Sequence, residues 1–479
     1  MNYKQFKTMG LAFMALFAAT GCDDETTTPP DTTGTIYEKY TSNDVPHVRI
    51  EDRGQGTGTL TLSRDTIYVL DGFVFVNNGQ ELTIQDGTII KGKPGAAENA
   101  SALIVARGGM IDAVGTSTKP IIFTSEADGI VPADIAAGKL KATINPLSPL
   151  ARGLWGGLIV LGKSSLNTTP STKAIEGIPT TEPRGQFGGS VDNDNSGTLK
   201  YISIRHSGTN IGEGNEINGL TLGGVGSGTT VEYVEVIGGN DDGFEFFGGT
   251  VNTKYLVSAY CDDDAFDYDQ GWRGKNQFWF GLQYSDAGDN GGEFDGGDDP
   301  NETGTPFATP KIYNATFVGN NNKRVIIFRA NAAGEVYNSI FSTFKTGVQV
   351  ELKTNLTAQH AYKNFVDGIL KFESNIMHNV ASESAAKQFF VDNKAASPAD
   401  STTATTALQT YFALKNVIEN PLFTKYVPSA ATSAGSATSP ADAFFSTANF
   451  KGAFDPLAAN KWIKSWTYLS AFNLGSSIE

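Results

Sequence analysis

Two acidic stretches of the chain repeat each other 22 residues apart: Asp241-Asp242-Gly243-Phe244-Glu245-Phe246 and Asp263-Asp264-Ala265-Phe266-Asp267-Tyr268. Asp286 and Asp289 continue the spacing, 22 residues beyond Asp264 and Asp267. A fixed period in the twenties marks a solenoid whose repeats stack as coils. Stacking sets equivalent residues about 4.8 Å apart, so the acids form two columns, 242/264/286 and 245/267/289. Two carboxylates at that spacing repel by about 3 kcal/mol at an effective dielectric of about 20, and by about 1 kcal/mol in water. Such columns need a cation, retained protons or full solvation. Their oxygens are hard donors, which suits Ca2+ with its roughly six to eight oxygen ligands. The candidate metal ligands are Asp241, Asp242, Glu245, Asp263, Asp264, Asp267, Asp286 and Asp289, with Asp262 beside them. Strand alternation puts Asp242 on the side of Phe244 and Phe246, and Asp241 on the side of Glu245, so one ion does not take them all. Two further readings stay open: the oxygens cap N–H groups at coil corners, or some of these acids are catalytic.

Other residues near the repeat bear on catalysis. Arg273 follows the second acidic copy within Gln270-Gly271-Trp272-Arg273-Gly274. An arginine can serve as base in a β-elimination, and Trp272 can stack on a sugar. Arg273, Asp264 and Asp267 are therefore the catalytic candidates, and Trp272 and Arg273 the ligand-binding ones. Paired carboxylates can instead hydrolyse a glycosidic bond. His206 reads as a coil-surface residue rather than an acid/base group. Asp192-Asn193-Asp194-Asn195-Ser196-Gly197 has the opening of a Ca2+ loop, but Ser203 stands where the twelfth-position Glu is expected. Glu293, Asp295, Asp298 and Asp299 read as a solvated Gly-rich loop. No CxxC, HExxH, Ser/His/Asp or phosphate-loop pattern is present. Cys261 reads as a buried small residue.

The elements that position these residues are short. Leu82-Thr83-Ile84, Ile89-Ile90-Lys91-Gly92, Leu103-Ile104-Val105 and Ile121-Ile122-Phe123 are strand-length apolar runs bounded by turn residues. Later runs open with an aromatic and then alternate: Tyr201-Ile202-Ser203-Ile204, Tyr233-Val234-Glu235-Val236, Tyr255-Leu256-Val257-Ser258, Tyr313-Asn314-Ala315-Thr316 and Tyr337-Asn338-Ser339-Ile340. Insertions at 126–152, 163–195 and 290–309 break the rhythm, the first with a short helix over 131–142. Residues 383–393 and 403–416 read as helices. The chain divides into a leader (1–21), an acidic and Thr/Pro-rich tether (22–56), the coils (57–380) and last coils with a cap (381–479), whose aromatics Trp462, Trp466 and Tyr468 form the cap core.

Ala102-Leu103-Ile104-Val105-Ala106-Arg107-Gly108-Gly109, Lys119-Pro120-Ile121-Ile122-Phe123-Thr124-Ser125 and Leu154-Trp155-Gly156-Gly157-Leu158-Ile159-Val160-Leu161-Gly162 resemble the coils of right-handed parallel β-helix proteins. The resemblance covers roughly residues 57–380 and implies an all-β solenoid with loop insertions and a C-terminal cap containing short helices. Several lyases of that fold hold Ca2+ with carboxylates from adjacent coils, so Ca2+ is the cofactor the resemblance implies. The Asp-Asp pairs resemble those of the β-helix polygalacturonases, but their Gly-His-Gly and Arg-Ile-Lys motifs are absent, which removes support for that activity.

The N-terminus carries Lys4 and Lys7 before an apolar stretch, Met9 to Ala19, too short to span a bilayer. It ends Ala19-Thr20-Gly21-Cys22, which resembles the bacterial lipobox and implies lipidation of Cys22 and anchorage in membrane lipid. Asp23-Asp24-Glu25 resembles the surface-export signal of Bacteroidota lipoproteins, which implies the outer membrane with the protein facing the exterior. With Cys22 lipidated, Cys261 has no disulfide partner. A formal charge of −15 opposes nucleic-acid binding. Taken together the chain resembles the uncharacterised β-helix surface lipoproteins of Bacteroidota. The expected function is a non-catalytic binding or adhesion module for an extracellular glycan or surface protein; the rival is a Ca2+-dependent polysaccharide lyase or glycoside hydrolase.

Overall fold

The computed structural model describes residues 34–472 except 213–214, 285–286 and 298–301. Cys22, the leader and Asp286 lie outside the described residues. Among the described residues twenty-seven strands join one continuous sheet wound into a parallel β-helix with three faces. The first face starts with Leu60–Leu62, Glu81–Ile84 and Met110–Val114, and the second with Ile67–Leu70, Ile89–Gly92 and Ile121–Ser125. Both pass into longer strands, Gly197–Arg205, Thr230–Ile237, Asn252–Ala259 and Lys275–Leu282, each bent across two faces. The third face stacks Phe73–Val76, Ala102–Val105, Leu158–Leu161, Leu220–Gly223, Phe244–Phe247, Phe266–Asp269 and Glu293–Asp295. Alternation along each strand sends one row inward, so Val74, Leu103, Leu158, Leu220, Phe244 and Phe266 form one buried ladder.

The aromatics that open the later coils are corner residues. Tyr201, Tyr233, Tyr255 and Phe278 hold φ of 52°, 55°, 60° and 62°, a left-handed conformation that costs a non-glycine residue roughly 1–2 kcal/mol. Stacking offsets the strain, with ring centroids 4.4, 4.3 and 5.0 Å apart. Tyr313 and Tyr337 do not belong to this column: Asn314 and Asn338 take the left-handed corner in their coils, and the two tyrosines stack one residue earlier. Asn tolerates that conformation more readily, so an aromatic stack is not required there.

The ends differ from the expected boundaries. Residues placed in the tether form a hairpin, Ile36–Ser42 with Val45–Glu51, whose second strand pairs in parallel with Ile67–Leu70 and closes the N-terminal end. Residues 383–393, expected as a helix, end in the strand Phe389–Asn393, because Phe389 and Val391 continue the buried ladder over Val348 and Val350. The helix Pro398–Lys415 closes the C-terminal end with Ala404, Leu408 and Phe412. The following segment is not an end cap. It runs back along the second face, where Trp462 and Trp466 cover the tyrosine stack. Both carboxylate oxygens of Glu235, a fully buried residue, accept from Tyr468 N (2.7 Å) and Leu469 N (2.9 Å).

Candidate functional site

The third face is apolar on its outer side in the early coils. The 163–195 insertion covers it there, packing Leu166, Ile175 and Phe187 on Ile104, Ile159 and Leu161. Beyond that cover the outward row changes character: Thr221 pairs in register with Glu245, Glu245 with Asp267, and Asp267 with Glu293. The third acid of this column is thus Glu293, not Asp289. The coil from Asp267 to Glu293 is 26 residues long rather than 22, so the fixed spacing falls short, at Asp289. Glu293 and Asp295 are strand residues rather than a solvated loop.

A second column runs along the corner that precedes these strands. Asn218 Oδ1 accepts from Asp242 N (3.2 Å), Asp242 Oδ1 from Asp264 N (2.8 Å), and Asp264 Oδ1 from Asn290 N. The side-chain oxygen of each coil therefore caps the backbone N–H of the next. Strand geometry starts only at Phe244, so alternation does not separate Asp242 from Glu245. Both lie on one side with Asp267, oxygens within 4.8 Å of one another. The same limit groups Asp264, Asp267 and Glu293, and at the corner it groups Asp241, Asp242 and Asp263, and Asp263, Asp264 and Asp289. Seven of the eight proposed ligands thus converge on adjoining positions, while Asp286 lies outside the described residues.

Burial and like charge act together on this cluster. Burial first, then neighbouring carboxylates, pushes Asp242, Glu245, Asp264 and Asp267 well above the usual range. Asp241 rises to about 7 by burial and repulsion from Asp263. Glu293 also reaches about 7, as burial and Asp295 outweigh the pull of Arg329. Glu176 of the insertion adds to the repulsion felt by Glu245. The ion pairs stand at the edges: Lys323 with Asp289 (2.7 Å), and Arg329 with Asp295 (2.7 Å) and Glu293. Asp267 Oδ1 is buried without a hydrogen-bond partner. A groove of about 390 Å³ opens beside the corner, lined by Glu216, Asp241, Asp262, Asp263, Asp289 and Lys323 among others.

The chain matches the model of a family described as a pectate-lyase-like β-helix domain over residues 54–140 and 143–414. It belongs to this family. No curated protein and no solved structure matches it. Within this pectate-lyase-like frame the other candidates separate from the acids. Trp272 is fully buried, its ring stacked 4.0 Å from Phe246, so it is a core residue and offers no face to a sugar. Arg273 lies beyond the far end of Phe266–Asp269 from Asp264. There it binds Ser165 Oγ (2.8 Å) and Asp192 (3.3 Å) and anchors the insertion. The arginine at the corner column is Arg324, 3.1 Å from Asn290 Oδ1, and Arg329 stands at Glu293 of the strand column.

The Ca2+-loop reading of residues 192–197 also changes. Asp192 accepts from Ser164 Oγ, Ser165 N and Ser165 Oγ, Asp194 from Lys163 N, and Asn195 from Gly197 N. The Asp192 and Asp194 oxygens tie the two ends of the insertion to each other. Burial opposes its charge, yet the hydrogen bonds from Ser165 and Ser164 and the charge of Arg273 hold Asp192 at about 2. His206 is not a coil-surface residue: it is fully buried, with Nδ1 2.8 Å from Ala151 O, and burial lowers it to about 4. Cys261 is buried and packed in the core. Asn218, Asn290, Glu293 and Arg324 complete the site. Their signal lies in Asn218-Gly219-Leu220-Thr221, Asp242-Gly243-Phe244-Glu245 and Asn290-Gly291-Gly292-Glu293, one motif in which Asn replaces Asp.

Proposed function

We propose that the protein is a lipid-anchored, non-catalytic binding module of the outer-membrane surface. In this reading its acidic flank takes up Ca2+ and uses the bound ion to engage an acidic extracellular glycan. One observation carries the reading. The side-chain oxygens of Asn218, Asp242 and Asp264 make the same corner hydrogen bond, each accepting from the backbone N–H of the next coil. An amide oxygen serves that bond as well as a carboxylate, so architecture does not require the two central acids. Their charge, buried beside Glu245 and Asp267, is what a hard divalent cation would use. When bound, Ca2+ would neutralise the carboxylates and offer open coordination positions to a partner's oxygens. The anchor rests on Ala19-Thr20-Gly21-Cys22 and the surface address on Asp23-Asp24-Glu25.

One observation favours a second reading, a Ca2+-dependent polysaccharide lyase or glycoside hydrolase: Arg324 stands at the column where Arg273 does not. A panel of acidic glycans, incubated with the protein in Ca2+ or in chelator, separates the two. The binding module retains glycan only with Ca2+ and releases no unsaturated or reducing ends. Product formation that is lost in Arg324→Ala would replace the binding module with the enzyme. Retention unaffected by chelator would remove Ca2+ from the account.

A further inference from the structure

A second groove, of about 630 Å³, lies on the outer side of the second face, where the returning C-terminal segment crosses the late coils. Its floor is polar. Ser342 Oγ and Thr343 Oγ1 stand 3.1 Å apart, and His378 lies in the next coil, in register with Ser342. Its rim carries Asn420, Lys425 and Tyr426. No aspartate or glutamate is among its lining residues, in contrast to the acidic groove on the other flank. Glu383 Oε1 approaches His378 Nδ1 to 3.8 Å, and that nitrogen is buried without a hydrogen bond.

The rim is built at a conformational cost. Thr424 and Val427 exchange both backbone hydrogen bonds, 2.9 and 3.1 Å, so Lys425 and Tyr426 form a two-residue hairpin loop. Both have positive φ, 58° and 64°. A turn of that kind strongly prefers Asn-Gly, and a lysine followed by a tyrosine strains it. Thr343, a β-branched residue facing the same groove, is also left-handed at 65°. Strain of this sort persists where it positions side chains for a task. Here the strained residues Lys425 and Tyr426 line the groove together with the hydroxyls and the imidazole. The Tyr426 ring is braced 5.7 Å from Phe280.

We infer that this groove binds an oxyanion carried on a sugar ring, with Lys425 meeting the anion, Tyr426 the ring face, and Ser342, Thr343 and Asn420 the hydroxyls. The site needs no metal and is independent of the acidic flank. Sulfate esters and carboxylates share this chemistry, and the test distinguishes them. Sulfated galactose, glucuronate and unmodified galactose are titrated into the full chain by ligand-observed NMR, all in chelator. At least one anionic sugar is expected to bind about tenfold tighter than galactose, and the stronger of the two identifies the anion. Lys425→Gln is expected to remove that preference. Lys425→Gly relieves the left-handed strain, so it should melt no lower than the parent chain while losing the preference too. Equal binding of all three sugars, no binding of any, or an anion preference that survives Lys425→Gly would overturn the assignment.

Discussion

Asn218 does with an amide what Asp242 and Asp264 do with a carboxylate, and the difference is charge alone. Replacing both central acids, Asp242→Asn with Asp264→Asn, therefore keeps the corner bonds and removes repulsion from Glu245 and Asp267. In chelator the double variant is expected to be more stable than the parent by about 1–3 kcal/mol, from the like-charge term. In Ca2+ the order reverses, and paired thermal melts check both signs. The raised acids also fix a pH dependence. Asp241 moves from 3.8 to about 7 and Glu293 from 4.5 to about 7 on folding. Between those limits the folded chain holds protons that the unfolded chain has released. Stability in chelator thus falls as pH rises from about 4 to about 7. Stability that rises over that window, measured by denaturant titration without metal, would contradict the burial of these groups.

At the scale of elements, coil length decides which residues meet. The 22-residue period was legible wherever coils are uniform, and it placed 242 over 264 and 245 over 267 correctly. It failed at the third coil because a four-residue insertion shifts the corner from Asp286 to Asn290, and an Asn does not stand out in a search for acids. Tyr201, Tyr233 and Tyr255 were legible as a repeated opening, but their left-handed φ was not, since sequence usually assigns that conformation to Gly or Asn. The returning segment was illegible for a different reason: many of its contacts join residues from 100 to 321 positions apart. Its clasp is Glu235, bonded to Ser203 Oγ (2.6 Å) and to Tyr468 N and Leu469 N. Arg205, itself fully buried, lies over the Tyr468 ring at 4.0 Å. Glu235→Ala leaves these donors unpaired in the interior and is expected to destabilise the chain by about 3–5 kcal/mol. Limited proteolysis should then cut residues 420–472 first, while the coils persist.

At the scale of the molecule, each face has its own role. The second face is covered by the 126–152 insertion in its early coils and by the returning segment in its later ones, the third by the 163–195 insertion in its early coils, and the acidic rows begin beyond that cover. The family membership accounts for the β-helix and leaves the chemistry to these rows. If Cys22 carries the anchor, Cys22→Ser moves the protein from the membrane to the soluble fraction on cell fractionation without changing its melting temperature. The most direct measurement of the central claim is calorimetric titration of Ca2+ into the metal-stripped parent chain and into the Asp242→Asn, Asp264→Asn variant at neutral pH. The expected result is binding with proton release by the parent, as the raised acids give up their protons, and loss of that heat in the variant. No binding at millimolar Ca2+, or equal binding by both chains, would contradict the account.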